Sequence, residues 1–229
     1  VFSNVDSLIC ITSTLSSEIK KAFPACTKSH HILPVGFNKD FLNIEHQEDK
    51  KYDVIYSGNF SQWKGLDILV EAISIIKHQY NRDIRAVLIG ANDQTKQQYE
   101  DQAEELKVLD NIEIVKRVEH KKIYDYISQS KIGVLSNKYD ADGLLFTSPL
   151  KLYEYLGSGL KVVVSRLPSI ESNIDQSLVY YATPENPHSF AKEILNALDD
   201  DTFDINKIKE FSKSYTWESR SKSFMKFIS

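Results

Sequence analysis

The residues with the clearest capacity for chemistry lie between Ser148 and Ser165. Serine caps helix N-termini and proline fits the first helical position, so Ser148 and Pro149 predict a helix start. The free N–H groups and partial positive charge of such a start can bind a phosphate. Glu154 would lie one turn inside the helix, where its carboxylate could accept a hydrogen bond from a sugar hydroxyl beside that phosphate. An ordinary strand–helix crossover with a surface glutamate is the alternative interpretation.

A second candidate group follows a predicted strand over residues 53–57. Gly58 leaves the backbone room to approach a ligand, and Lys64 at the start of the next helix could reach an anion there. A flexible turn with a solvated lysine is the alternative. Polar loops also follow three other predicted strands, and the last of these loops is long enough for a ligand-binding segment. They cover residues 90–93, 116–120 and 136–149.

Short apolar strands alternate with helices along the chain, and this alternation predicts an α/β fold, a doubly wound parallel sheet with right-handed crossovers. Ligands of such sheets bind at the carboxyl ends of the strands, at a topological switch point. A polar stretch over residues 38–52 predicts a linker. The predicted strands cover residues 7–12, 31–35, 53–57, 84–89, 112–115, 132–135, 161–164 and 178–181. Besides the helix that follows Ser148, the predicted helices cover residues 64–78, 95–106, 121–129, 187–198 and 217–228.

Composition excludes several classes of protein. Of the 229 residues, 41% are hydrophobic, enough for a sizeable core, and the net charge of −4 without a long basic run argues against a nucleic-acid partner. Cys10 and Cys26 have no metal-type spacing and indicate a reducing compartment. No stretch has the apolar length of a membrane span and no signal peptide is visible, which predicts a cytoplasmic location. The first residue is not methionine, which indicates that the natural start lies further upstream.

The order and spacing of several motifs resemble the C-terminal, nucleotide-sugar-binding domain of retaining GT-B glycosyltransferases, of the "glycosyl transferases group 1" (family 4) type. The resemblance covers nearly the whole chain. The motifs are Y-S-G-N-F-S-Q-W-K-G-L-D-I-L-V-E-A-I, V-L-I-G-A-N-D with D-N-I-E-I-V-K-R-V, S-P-L-K-L-Y-E-Y-L-G-S-G-L-K-V-V-V-S and Y-T-W-E-S-R. I-L-P-V-G-F-N, residues 32–38, is similar to the element that leads into this domain.

The resemblance implies a Rossmann-like half of a GT-B fold and assigns roles to particular residues. Lys64 would neutralise the donor phosphates and Glu154 would bind the ribose hydroxyls, and these two would be the catalytic residues. Gly58 would let the main chain approach the diphosphate. Main-chain groups of Thr147, Ser148 and Leu150 would meet the β-phosphate, and those of Arg117 and Val118 the base. Fixed cations and helix dipoles would stabilise the leaving nucleoside diphosphate without a metal or cofactor.

Three positions depart from the pattern of the family. Asn59 stands where the family often has arginine, and it is one of the expected donor-binding residues. Arg117 replaces a glycine. Phe146 replaces the first glutamate of the E-x7-E motif, whose second glutamate is Glu154. Either Asp142 or Asp140, from the same loop, could take over the role of the missing carboxylate.

The resemblance also divides the chain. Residues 1–38 would be the tail of an N-terminal acceptor domain with the linker, and residues 39–229 the donor-binding domain. The last helix, at about 217–228, would cross back toward the N-terminal piece. Because most of the acceptor domain would be missing, the chain alone should bind donor without transferring sugar. A weak homodimer could form through the apolar patch left behind.

The leading functional hypothesis is a glycosyltransferase of bacterial surface polysaccharide or lipopolysaccharide synthesis. It would move a hexose or N-acetylhexosamine from a nucleotide sugar, with UDP as the expected nucleotide, to a lipid-linked or glycan acceptor. It would work in the cytoplasm or on the inner face of the cell membrane. Two alternatives stay open: a non-catalytic nucleotide-sugar-binding or regulatory module, and an enzyme similar to UDP-N-acetylglucosamine epimerase.

Overall fold

The computed structural model describes residues 5–25, 28–139 and 148–228. The strands are β1 (Ser7–Cys10), β2 (Ser29–Ile32), β3 (Tyr52–Ser57), β4 (Ala86–Ala91), β5 (Ile112–Lys116), β6 (Ser130–Leu135), β7 (Lys161–Ser165) and β8 (Tyr180–Ala182). The helices are α1 (Ser13–Ala22), α2 (Leu66–Gln79), α3 (Asp93–Glu105), α4 (Lys122–Ser128), α5 (Leu150–Ser158), α6 (Pro168–Glu171), α7 (Pro187–Asp199), α8 (Ile205–Lys213) and α9 (Trp217–Ile228). Short 3-10 helices cover Lys39–Asn43, Gln62–Lys64 and Leu109–Asn111.

Strands β3 to β8 form one six-stranded parallel sheet in the order β5-β4-β3-β6-β7-β8. The chain steps outward from β3 through β4 to β5, then returns to the other side of β3 and steps outward again. The switch point therefore lies between β3 and β6, where Val54 pairs with Ile132 and Ile55 with Gly133. This topology confirms the doubly wound, Rossmann-like sheet, and it places the expected ligand crevice beyond Ser57 and Leu135.

Two buried clusters cover the two faces of the sheet. One cluster joins the strands to α2, α3 and α7, with Leu69, Ile73 and Phe190 fully buried. The other joins them to α4, α5 and α8, with Leu156 and Ile208 at its centre. Because both faces are covered, the strands carry apolar residues on both sides, which is why they read as continuous apolar runs.

Several element ends differ from the sequence prediction for local reasons. Helix α3 begins at Asp93, two residues earlier than predicted, because Asn92 and Thr95 form a reciprocal capping box. Helices α1, α6 and α8 were not predicted. The stretch over residues 38–52, expected to be a linker, contains a 3-10 helix that places Phe41 fully inside the second cluster.

The N-terminal strands and the last helix are in contact. Strands β1 and β2 pair in parallel as a separate two-stranded sheet. The ring of His31, on β2, stacks on that of Phe227, on α9, with 4.5 Å between the ring centroids. Phe37 and Thr216 form a parallel bridge just before α9. None of the helices described is both long and apolar enough to cross a membrane.

Candidate active site

The crevice at the switch point begins at the end of β3, where the main chain of Gly58 is closely packed. The N–H of Gly58 donates to the carbonyl of Ile89 at 2.9 Å. Gly90 has φ of +121°, and a Cβ at this position would collide with the carbonyl oxygen of Gly58. Glycine at position 90 thus lets the ends of β3 and β4 approach each other closely. The adjacent Asn59 is exposed, and its Oδ1 accepts a hydrogen bond from the hydroxyl of Ser61.

Lys64 ends the short 3-10 helix that follows β3, and its ammonium lies half-buried over the ring of Trp63, 3.7 Å from the ring centroid. Burial lowers the pKa of Lys64 to about 8. No carboxylate among the residues described lies within 4.0 Å of this ammonium. A cation withdrawn from water without a counter-ion would gain from an anionic ligand.

Glu154 is buried, with 2% of its surface exposed, so the alternative of a surface glutamate is wrong. Its Oε2 accepts from the Lys151 ammonium at 2.6 Å, one turn earlier on α5. Its Oε1 lies 3.7 Å from Nε2 of His120, in the loop between β5 and α4. The His120 imidazole is 55% exposed, but its edge-to-face contacts with Phe41 and Tyr124 hold it beside the carboxylate.

The helix that carries Glu154 is fastened to the end of β3 by the next residue, Tyr155. The N–H of Ser57 donates to the Tyr155 hydroxyl at 2.7 Å, and the Ser57 hydroxyl lies 3.0 Å from the same oxygen. Burial raises the pKa of Tyr155, which keeps the phenol neutral. Glu154 and Gly58 therefore each lie one residue from this link, which brings the two candidate motifs to one edge of the sheet.

The start of α5 differs from the sequence prediction. Pro149 occupies the N-cap position and the helix begins at Leu150, an exposed residue. Ser148 does not cap the helix, because its hydroxyl accepts a hydrogen bond from the N–H of Val35 at 3.3 Å instead. No side chain caps the start of α5 among the residues described. The N–H of Leu152 donates to the carbonyl of Pro149 at 3.0 Å, which leaves the N–H groups of Leu150 and Lys151 as the candidate donors to a ligand.

The remaining predicted site residues lie along the neighbouring loops. The N–H of Arg117 donates to the carbonyl of Ala91 at 3.1 Å, which ties the loop after β5 to the end of β4. Val118 is half-buried and packs against the second apolar cluster. Asp142 and Thr147, together with Asp140 and Phe146, lie outside the described residues. In the described ranges, no group of three histidine, cysteine or acidic side chains could hold a metal ion.

Comparison with known families decides the class of this domain. Residues 38–215 match the family model described as "Glycosyl transferases group 1". The chain belongs to this glycosyltransferase family. A comparison with curated protein sequences finds no match.

Solved structures of several proteins share the fold at low sequence identity. A glycosyltransferase from Rickettsia africae is 14% identical with a TM-score of 0.79, over 97% of this chain and 62% of that one. The HepE protein of Anabaena in complex with UDP is 12% identical with a TM-score of 0.77, over 98% and 64%. WaaG, a glycosyltransferase of lipopolysaccharide biosynthesis, is 15% identical with a TM-score of 0.71, over 95% and 61%. The chain thus spans less than two thirds of each of these proteins.

The contacts that three residues make at this candidate site were not predicted from the sequence. Lys151 precedes Glu154 by three residues, a helical spacing that brings the two side chains together and could have been used. The pairing of His120 with Glu154 and that of Tyr155 with Ser57 join residues distant in sequence. Only the packing of α4 and α5 on the same sheet face brings these partners together.

Proposed function

We propose that this domain binds the nucleotide-sugar donor of a retaining glycosyltransferase, with UDP as the nucleotide. The observation that carries the proposal is Lys64, a half-buried ammonium without a carboxylate partner in the described part of the chain, beside the switch point of the sheet. A diphosphate would supply the missing counter-charge. The bound UDP of the Anabaena relative supports the choice of nucleotide.

The diphosphate would lie between Lys64 and the uncapped start of α5. The first N–H groups of α5 point along the helix axis toward such a ligand, and the helix dipole favours negative charge there. As the bond to the sugar breaks, negative charge grows on the leaving nucleoside diphosphate. A fixed cation and main-chain donors then stabilise the transition state more than the ground state, which is the requirement for catalysis.

Glu154 would accept hydrogen bonds from the ribose hydroxyls. The 3.7 Å contact between its Oε1 and His120 is longer than a hydrogen bond, so a hydroxyl could take this oxygen without breaking a short contact. Lys151 would stay on Oε2. Arg117 and Val118, on the loop that carries His120, would then lie next to the base.

In the full protein, the donor sugar would be a hexose or N-acetylhexosamine. The acceptor, a glycan or a lipid-linked sugar, would bind to an N-terminal domain, of which residues 1–38 would be the tail. Residues 39–229 would form the donor domain. The match with WaaG supports a role in bacterial surface polysaccharide synthesis, in the cytoplasm or at the inner face of the membrane.

A second candidate is a nucleotide-sugar-binding module without turnover. It is favoured by Phe146, which stands where the family has a carboxylate. Donor hydrolysis separates the two candidates in the full-length protein. Slow release of free sugar from the donor, or transfer to an acceptor, supports the enzyme, whereas donor binding without either supports the module.

Calorimetric titration with UDP, GDP, ADP and their sugars tests the proposal directly. Lys64→Ala should weaken UDP binding tenfold or more, since a hydrogen bond to a charged group contributes roughly 1.5–3 kcal/mol. Lys131→Ala is the matched control, because this variant loses the same charge at a distance from the site. Lys131 lies at the start of β6, at the edge formed by the amino ends of the strands, and pairs with Asp53. Equal UDP affinity of the two variants would remove Lys64 from the site.

A further inference from the structure

Asn137 is the second residue after β6, and its carboxamide is buried without a hydrogen-bond partner among the described residues. Asn137 is 1% exposed, and neither Nδ2 nor Oδ1 has a partner in the part of the chain that the structure describes. Of the buried side chains described, it is the one with two unpaired polar atoms. Asn111 provides the contrast. It is also buried, but its Nδ2 donates to Asp83 and Ile84 while its Oδ1 accepts from Lys77.

The main chain around Asn137 is joined to both neighbouring strand ends. The hydroxyl of Ser136 donates to the carbonyl of Lys64 at 3.1 Å, and the N–H of Lys138 donates to the carbonyl of Trp63 at 2.8 Å. On the other side, the hydroxyl of Ser165 donates to the carbonyl of Asn137 at 2.6 Å. These bonds place Asn137 at the switch point, next to the loop that carries the candidate phosphate-binding lysine.

An unpaired buried carboxamide destabilises a folded protein, since each polar atom has given up its hydrogen bonds to water. Packing does not require the polar atoms, because leucine has the same branching and the same number of heavy side-chain atoms, none of them polar. A residue that lowers stability at the edge where a ligand binds is expected to contribute to function.

We propose that the carboxamide of Asn137 reads hydroxyl groups of the sugar carried by the nucleotide donor. A carboxamide both donates and accepts hydrogen bonds, and a hydroxyl does the same, whereas an ionised phosphate only accepts. Asn137 therefore complements the neutral part of the donor, as Lys64 complements the charged part. Sequence position 146 carries a phenylalanine, which cannot supply such contacts. This inference rests on the proposed donor site.

The test compares the affinities of UDP and of UDP-glucose, UDP-galactose and UDP-N-acetylglucosamine in wild-type protein and in Asn137→Leu. The variant should bind UDP as the wild type does, but bind the best UDP-sugar about five- to tenfold more weakly, the range expected for one or two neutral hydrogen bonds. Without ligand, it should melt at a higher temperature. Asn111→Leu, the matched control, should melt at a lower temperature and keep the ratio of UDP-sugar to UDP affinity.

Two results would overturn the role of Asn137. One is an unchanged ratio of the two affinities in Asn137→Leu. The other is a loss of stability as large as that of Asn111→Leu, since this would show a carboxamide already satisfied in the free protein. If Asn137→Leu does not fold, Asn137→Ala removes the same atoms without added bulk and decides by the same ratio. A wild-type protein that binds no UDP would instead reject the donor site itself.

Discussion

The hydroxyl of Tyr155 lies 2.7 Å from the main-chain nitrogen of Ser57 and accepts its hydrogen bond inside the protein. Ser57 ends β3 and precedes Gly58, while Tyr155 follows Glu154 on α5. One buried phenol therefore sets the distance between the two motifs that the resemblance assigns to the diphosphate and the ribose. Its removal should change both stability and donor binding.

Tyr155→Phe should lower the free energy of unfolding by about 1–3 kcal/mol, because the buried N–H of Ser57 loses its acceptor. Urea unfolding measures this change. UDP affinity should fall in the same variant, since β3 and α5 lose their direct link. Tyr52→Phe is the control: its hydroxyl donates to the half-exposed Glu113, and its loss should leave UDP affinity unchanged. Equal behaviour of the two variants would contradict a positioning role for Tyr155.

Glu154→Gln should weaken the binding of UDP more than that of 2′-deoxy-UDP, because the carboxylate would accept hydrogen bonds from both ribose hydroxyls. The variant should also be less stable, since the ammonium of Lys151 loses its ionic partner. Calorimetry with both nucleotides separates the two effects. Equal losses of affinity for UDP and 2′-deoxy-UDP would limit Glu154 to a structural role.

UDP binding should depend on pH through Lys64. Burial lowers the pKa of this group to about 8 in the free protein, and a bound diphosphate would raise it again. At pH 8.5 much of the free protein carries a neutral Lys64, so binding should take up a proton and affinity should fall as the pH rises from 7 to 9. Titrations in buffers of different ionisation enthalpy measure this uptake. Proton release, or the same uptake by Lys64→Ala, would contradict the prediction.

Stability should fall as the pH drops below about 6.5, in part through His46. Burial lowers the pKa of this histidine, and its neutral ring donates from Nε2 to the carbonyl of Ser158 while Nδ1 accepts from Lys50. The unfolded chain therefore binds the proton first, so protonation favours unfolding until the lower pKa of the folded state is reached. Urea unfolding at pH 7.5 and 5.0 should show a smaller difference for His46→Gln than for the wild type.

The sheet could be predicted from the sequence because each central strand is a short apolar run between polar loops. A strand that is buried on both faces is apolar along its whole length instead of alternating between apolar and polar residues. The carboxyl ends of these strands then gave the correct edge for Lys64 and Gly58. Helix α8 was missed although Ile205, Ile208 and Phe211 are spaced as one helical face. Because most residues of this helix are polar, its apolar face consists of these three residues and gives a weak periodic signal.

Contacts between distant residues explain the errors at the site. Ser148 has the right chemistry for an N-cap, but the N–H of Val35, 113 residues away, takes its hydroxyl. Buried Glu154 lies 3.7 Å from His120, and no local sequence pattern indicates this contact. The sequence does not show that the carboxamide of Asn137 lacks hydrogen-bond partners either. Nothing in the sequence distinguishes it from an asparagine such as Asn111, whose carboxamide is fully hydrogen-bonded.

The bridge between Phe37 and Thr216 has a mechanical consequence. The chain crosses into the six-stranded sheet domain at Phe37 and crosses out of it toward α9 at Thr216. Two main-chain hydrogen bonds join these two crossings. The N–H of Phe37 donates to the carbonyl of Tyr215, and the N–H of Trp217 donates to the carbonyl of Phe37. A Cβ at Gly36 would lie 2.6 Å from the ring of Trp217, so these two segments of the chain are in direct contact. We therefore expect the two crossings to bend together as one double-stranded hinge, with α9 following any rotation of β1 and β2 relative to the six-stranded sheet.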